Sequence, residues 1–143
     1  MKGTRVLLVD DEVDLTDSTK TLLENRGYEV TAVNSGDSAI RTLGQGGYDV
    51  MVLDLKMPGM DGMATLKEAK KLELFTETLI LTGHATVDTA LEAIKLGAYD
   101  YLTKPCDIDE LVQKIQGAWK KKDAAEKQEI SKKIDRIVEG RGF

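Results

Sequence analysis

Short apolar runs, each closing on a polar residue, alternate along this chain with amphipathic stretches, and that rhythm restricts the fold more than any other feature. Val6-Leu7-Leu8-Val9 and Val50-Met51-Val52-Leu53 are apolar at every position. A strand shows that pattern when it is buried on both faces, as in a parallel sheet. Residues 28–33, 78–81 and 100–103 predict a second, fourth and fifth strand. Helical periodicity fills the gaps over residues 13–25, 36–43, 63–71 and 86–96. Ser35 is placed to cap the second helix, and Gly27 and Gly97 to stop the first and fourth. Asp107 opens a last helix beginning Ile108-Asp109-Glu110-Leu111. Strands alternating with helices predict an α/β fold, a doubly wound parallel sheet with helices on both faces.

In such sheets the functional crevice lies at the carboxyl ends of the strands. Asp10 and Asp11 follow the first strand, Asp54 the third, Thr82 ends the fourth and Lys104 follows the fifth. All five polar groups therefore share one end of the sheet. Alone, Asp10-Asp11 also suits a helix N-terminus, where carboxylates favour the backbone dipole. Beside Asp54 and Lys104, the pair reads as part of a site. Clustered carboxylates repel one another, and a divalent cation removes the conflict. Hard oxygen donors suit Mg²⁺ (or Mn²⁺) better than zinc. Asp54 is then a candidate nucleophile toward phosphorus, forming an aspartyl phosphate. The transfer needs neutralised phosphoryl oxygens more than covalent chemistry. The cation, Lys104, and the Thr82 hydroxyl with nearby backbone N–H groups such as that of Gly83 supply three points of contact. Lys104 precedes Pro105, a candidate cis peptide.

The segments Val9-Asp10-Asp11-Glu12, Leu53-Asp54-Leu55-Lys56-Met57-Pro58-Gly59-Met60-Asp61-Gly62, Leu81-Thr82-Gly83 and Tyr101-Leu102-Thr103-Lys104-Pro105 carry a further signal. Together they resemble the signature segments of the response-regulator receiver domains of bacterial two-component systems, over residues 4 to about 119. The resemblance implies a flavodoxin-like (βα)5 fold with strand order 2-1-3-4-5. It implies Asp54 as phosphoacceptor, Asp11 as direct metal ligand with Asp10 acting largely through water, and the Lys56 backbone carbonyl as a further ligand. The phosphodonor would be a phosphohistidine on a sensor histidine kinase or a phosphotransfer protein. It also implies a switch in which Thr82 moves toward the phosphoryl group and Tyr101 turns inward, remodelling the surface of the fourth helix, fifth strand and fifth helix. Lys56 and His84, two residues beyond the acceptor and the hydroxyl, stand where the family tunes the lifetime of the phosphorylated state. Neither is a carboxylate or amide, so slow autodephosphorylation is expected. Cys106 departs from the phenylalanine that many relatives carry, and reads as a small buried hydrophobe. A haloacid-dehalogenase-like phosphatase is the alternative. It needs a nucleophile-x-Asp pair after the first strand, which this chain lacks, so no enzyme activity is expected beyond self-phosphorylation and its reversal.

The net charge of −5 is uneven: residues 1–119 hold 12 Lys/Arg against 20 Asp/Glu, and residues 120–143 hold 8 against 5. An acidic body argues against nonspecific nucleic-acid binding, and mixed signs in the tail read as a solvated helix face. The chain divides at 119/120 into a receiver domain and a charged helical extension reaching about Lys133. Ile130, Ile134 and Ile137 form a short apolar stripe there. The expected partners are a kinase or phosphotransfer protein, a downstream protein or effector domain, and a phosphorylation-dependent second copy, with no direct DNA contact. Whether the receiver is stand-alone or cut from a transcription regulator stays open. No membrane span or signal-peptide pattern is seen, and the chain reads as cytoplasmic.

Overall fold

The computed structural model describes residues 3–140. Five strands and five helices alternate: β1 (Arg5–Val9), α1 (Val13–Glu24), β2 (Glu29–Val33), α2 (Gly36–Gly44), β3 (Val50–Leu53), α3 (Gly62–Lys71), β4 (Glu77–Thr82), α4 (Val87–Lys95), β5 (Asp100–Thr103) and α5 (Ile108–Gly140). All ladders are parallel, in the order β2-β1-β3-β4-β5. The expected flavodoxin-like architecture and strand order are therefore present.

The period-two alternation of side chains divides the core between the two faces of the sheet. Val6 and Leu8, Val50 and Val52, and Leu79 face α1 and α5, where Leu23, Leu111, Ile115 and Ala118 close on them. Leu7 and Val9, Met51 and Leu53, and Ile80 face the other way, against Ala39, Leu43, Leu66 and Ala93 of α2, α3 and α4. Tyr28 and Tyr48, expected to open strands, are buried just before β2 and β3. Each ring packs into the core before the backbone joins its ladder. Ser35 caps α2, accepting the Ser38 N–H at 3.1 Å.

The last helix exceeds its expected end at Lys133 and continues to Gly140. It also passes residue 119 without a break. Nothing in this stretch interrupts a helix, and pairs one turn apart support it: Lys122–Glu126 at 2.6 Å and Lys127–Asp123 at 2.9 Å. Its middle is held to the body, because Lys122 also reaches Asp49 at 2.8 Å and Lys121 reaches Glu77 at 3.3 Å. Beyond Glu129 the helix is solvent-exposed, including Ile130, Ile134 and Ile137. Among the described residues no helix is long and apolar enough to cross a membrane.

Gly62 fixes how α3 meets the end of β3. Its N–H donates to the Leu55 carbonyl at 2.8 Å. A side-chain carbon at residue 62 would fall onto the Asp54 carbonyl oxygen and the Leu55 Cα. Both are backbone atoms, so the loop carrying Asp54 would have to move. Gly62→Ala is expected to cost about 2 kcal/mol by overpacking, read as a lower urea midpoint. An unchanged midpoint would show that the loop yields freely.

Candidate functional site

Strand register brings the polar groups together. β1 runs between β2 and β3, with Val9 opposite Val33 and Leu53. The ladder continues one step past the strand ends, since the Asp10 N–H donates to Val33 at 3.2 Å and the Asp54 N–H donates to Val9 at 3.0 Å. Asp10 and Asp54 thus leave the sheet side by side, only 5% and 4% exposed. The fifth strand delivers the cation: the Lys104 N–H donates to the Thr82 carbonyl at 2.9 Å, and the Lys104–Pro105 bond is cis. The Lys104 ammonium donates to Asp10 at 2.5 Å and to Asp54 at 3.2 Å.

Thr82 is fully buried at the end of β4, and its hydroxyl accepts the His84 N–H at 3.2 Å. Gly83 lies beside Lys104. An open cleft of about 410 Å³ leads to Asp54, bordered by Asp11, Glu12, Lys56 and His84. The Lys56 N–H donates to Asp54 Oδ1 at 3.3 Å, and the Lys56 side chain is exposed, as is His84. Tyr101 is half-buried against the α2–α4 face of the core, with its hydroxyl 3.0 Å from that of Thr89.

Carboxylate oxygens of Asp10, Glu12 and Asp54 can all lie within 4.8 Å of one another. Asp11 borders the cleft but stands outside that group. Glu12 was not singled out from the sequence as a candidate ligand. Its only signal there is its place at the end of an acidic triplet. It is the N-cap residue of α1, yet its side chain makes no capping bond and stays available to the site. Neither aspartate is the N-cap residue of this helix; Asp10 Oδ1 instead accepts the Glu12 N–H at 3.0 Å. Asn34 steadies the turn, donating to the Asp10 carbonyl at 2.8 Å and to the Thr16 hydroxyl at 3.1 Å. The set of clustered oxygen donors fits a hard divalent cation.

Burial and charge act differently on the two partners of the ion pair. Burial pushes the Asp10 carboxyl above its ordinary range, outweighing the Lys104 ammonium and the Glu12 N–H that favour its charged form. Burial opposes the charge of Lys104 as well, but there Asp10 and Asp54 prevail and raise its pKa. A folded-state carboxyl pKa above the unfolded one gives a contribution to stability that is complete below the ordinary value of 3.8. That contribution is lost as pH rises through the folded pKa, leaving the ionised Asp10 a net cost at neutral pH. Asp10→Asn is therefore expected to stabilise the protein by about 1 kcal/mol at neutral pH in EDTA, with the gain fading toward acid. Urea unfolding across pH measures it, and a destabilised variant at neutral pH would mean that the ion pair outweighs burial.

A family model described as response regulator receiver domain matches residues 6–116. Among curated proteins, the transcriptional regulatory protein ZraR of Escherichia coli strain K12 is 41% identical over 113 residues, covering 79% of this chain and 26% of ZraR. The transcriptional regulatory protein TrcR of Mycobacterium tuberculosis is 39% identical over 113 residues, covering 79% of this chain and 44% of TrcR. The chain thus spans about a quarter to a half of the length of these relatives. Among solved structures, a response regulator receiver domain protein from Clostridium thermocellum superposes with a TM-score of 0.81 at 35% identity, covering 85% of this chain and 98% of that one. The match takes in β2 to β5 whole, β1 from Val6 onward, and the strand ends where Asp10, Asp54, Thr82 and Lys104 meet, and the chain belongs to the response-regulator receiver domain family.

Proposed function

We propose that this chain is a phosphorylation switch whose acceptor is Asp54. The observation that carries the reading is the Lys104 ammonium held between Asp10 and Asp54, with Asp54 itself lining an open cleft. A carboxylate oxygen of Asp54 attacks the phosphorus of a phosphohistidine on a sensor kinase or phosphotransfer protein. The O–P bond forms as the N–P bond breaks, and the departing imidazole keeps its electron pair and takes up a proton. Asp10, Asp11, Asp54 and the Lys56 carbonyl would hold Mg²⁺, with Glu12 close enough to join them. The bound cation supplies positive charge to the phosphoryl oxygens. Lys104 contributes a second positive contact, and the Thr82 hydroxyl with the Gly83 N–H a third. The product stays on the protein, so the reaction is a signal rather than turnover.

Output runs through the α4, β5 and α5 surface. When the Thr82 hydroxyl turns to the phosphoryl group, space opens behind it for the Tyr101 ring. This surface would meet a downstream protein, an effector domain elsewhere in a longer chain, or a second copy, in a cytoplasmic setting.

Acetyl phosphate with Mg²⁺ is expected to add one phosphoryl group, seen by intact mass, and Asp54→Asn to abolish it, because an amide is a poor nucleophile. Adduct formation on the Asn variant at wild-type yield would overturn the assignment of Asp54. Beryllofluoride with Mg²⁺ is expected to shift the amide resonances of Thr82, Thr89 and Tyr101 together; unchanged resonances would remove the switch. Lys56 and His84 stand exposed at the cleft, where they would govern the approach of water. Lys56→Asn and His84→Ala are expected to change the slow dephosphorylation rate, whereas identical decay in all three proteins would show that neither residue gates the water.

A further inference from the structure

The turn that follows β2 lies against the acidic loop after β1 and brackets it at both ends. Val33 stands opposite Val9, and the ladder takes one more step when the Asp10 N–H donates to the Val33 carbonyl. The next bond comes from a side chain: the Asn34 amide nitrogen donates to the Asp10 carbonyl at 2.8 Å. The same nitrogen donates to the Thr16 hydroxyl at 3.1 Å, and that hydroxyl donates to the Glu12 carbonyl at 2.6 Å. Asn34 thus holds the Asp10 carbonyl directly and the Glu12 carbonyl through Thr16, with Asp11 between them. Both hydrogens of its NH₂ group are used, which fixes the orientation of the amide.

The turn that carries Asn34 has a firm seat. Ser35 caps α2, and a side-chain carbon at Gly36 would fall onto the Met60 carbonyl and the Thr65 hydroxyl. Met60 belongs to the loop between β3 and α3, which begins at Asp54. Asn34 therefore projects from a turn packed against the acceptor loop and grips the loop of Asp10, Asp11 and Glu12. Thr16, its second partner, is buried in α1.

We propose that Asn34 and Thr16 are positioning residues for the divalent-cation site, and that their shared hydrogen bonds set its affinity. The inference rests on the cation reading above and adds two residues that act through the backbone of the acidic loop. An aspartate carboxylate is a short step from its own backbone, so the reach of the Asp11 side chain follows from the backbone that carries it. Clustered carboxylates repel one another when no cation is present. An unheld loop relieves that repulsion by spreading its donors. A loop held at both ends keeps them gathered, and a preorganised site loses less freedom on binding. If the bonds served only to finish a strand and a helix, their removal would lower stability and leave affinity alone.

Mg²⁺ is titrated into the full, unphosphorylated chain, and Kd is read from the amide resonances of Asp11, Asp54 and Lys56. Urea unfolding in EDTA measures stability in parallel. Asn34→Ala, at an exposed residue, is expected to weaken Mg²⁺ by about tenfold, the scale of loss when a hydrogen-bond partner behind a metal ligand is removed. Thr16→Val keeps the shape of the side chain without its hydroxyl and is expected to give a similar loss. Because both act through one network, the double variant is expected to stay near about tenfold rather than reach about a hundredfold. Thr16→Ser keeps the hydroxyl and loses a buried methyl, so it is expected to lower the urea midpoint yet hold Kd within about twofold of wild type. With acetyl phosphate, Asn34→Ala is expected to need about tenfold more Mg²⁺ for half-maximal phosphorylation and to reach the wild-type rate at saturation. Wild-type affinity in Asn34→Ala and Thr16→Val, whatever their stability, overturns the proposal. Additive losses in the double variant, or a Thr16→Ser variant as weak as Thr16→Val, overturn it too. If the wild-type chain binds Mg²⁺ and takes up no phosphoryl group, the acceptor reading fails while weaker Mg²⁺ binding by the variants still upholds this one; if it binds no Mg²⁺ at all, the cation reading and this inference fall together.

Discussion

A lysine ammonium between two buried carboxylates is the constraint on which this end of the molecule depends. Two like charges about 4 Å apart at the edge of a protein repel by roughly 4 kcal/mol. Asp10, Glu12 and Asp54 approach to within 4.8 Å, and two of the three are withdrawn from water. Left alone, such a group would shed its charge or splay apart. Lys104 removes the conflict by reaching Asp10 and Asp54 together, with Glu12 at 3.7 Å. It does so incompletely, since burial still raises the Asp10 pKa. A site so balanced is receptive to further positive charge, which is the physical content of its fit to a divalent cation.

The scaffold makes this juxtaposition unavoidable. Parallel strands in register deliver their last residues to the same edge, and β1 and β3 are neighbours. The helices behind them fix the loop geometry: Gly62 lets the start of α3 close on the backbone of Asp54 and Leu55. On the other side β4 and β5 pair Thr82 with Thr103, so Lys104 emerges one step beyond the buried hydroxyl. Asp10, Asp54, Thr82 and Lys104 each lie at or one step past a strand end, and the apolar sheet beneath them holds the spacing.

Much of this was legible in the sequence, for identifiable reasons. Val6–Val9 and Val50–Leu53 are apolar at every position, and only a doubly covered strand needs that. Asp10, Asp54, Thr82 and Lys104 could be placed at one edge because each ends or follows an expected strand. Glu12 was harder, since an acidic residue at a helix start reads equally as a dipole partner, and only the structure shows its capping bond to be absent. The 119/120 division follows a composition shift that the helix itself ignores. Lys122 binds Asp49 across more than seventy positions, a pairing that no local pattern reveals.

The hydroxyl of Thr89 joins Tyr101 to the start of α4. Thr86 and Thr89 form a reciprocal cap at the start of that helix, with the Thr89 N–H donating to Thr86 Oγ1 at 3.1 Å and Thr89 Oγ1 accepting the Thr86 N–H at 3.0 Å. The same Thr89 oxygen lies 3.0 Å from the Tyr101 hydroxyl. An inward turn of Tyr101 would therefore remove a hydrogen bond from an atom that also anchors the helix start. A partly exposed hydrogen bond of this kind is worth about 1 kcal/mol, and a cap about the same. In the proposed switch the two positions of Tyr101 would then differ by an amount that modest differential affinity for a phosphoryl group could offset, because a bound group shifts a two-state equilibrium only by that difference. Coupling through Thr89 would make the N-terminus of α4, with exposed Val87 and Leu91 behind it, respond together with the tyrosine.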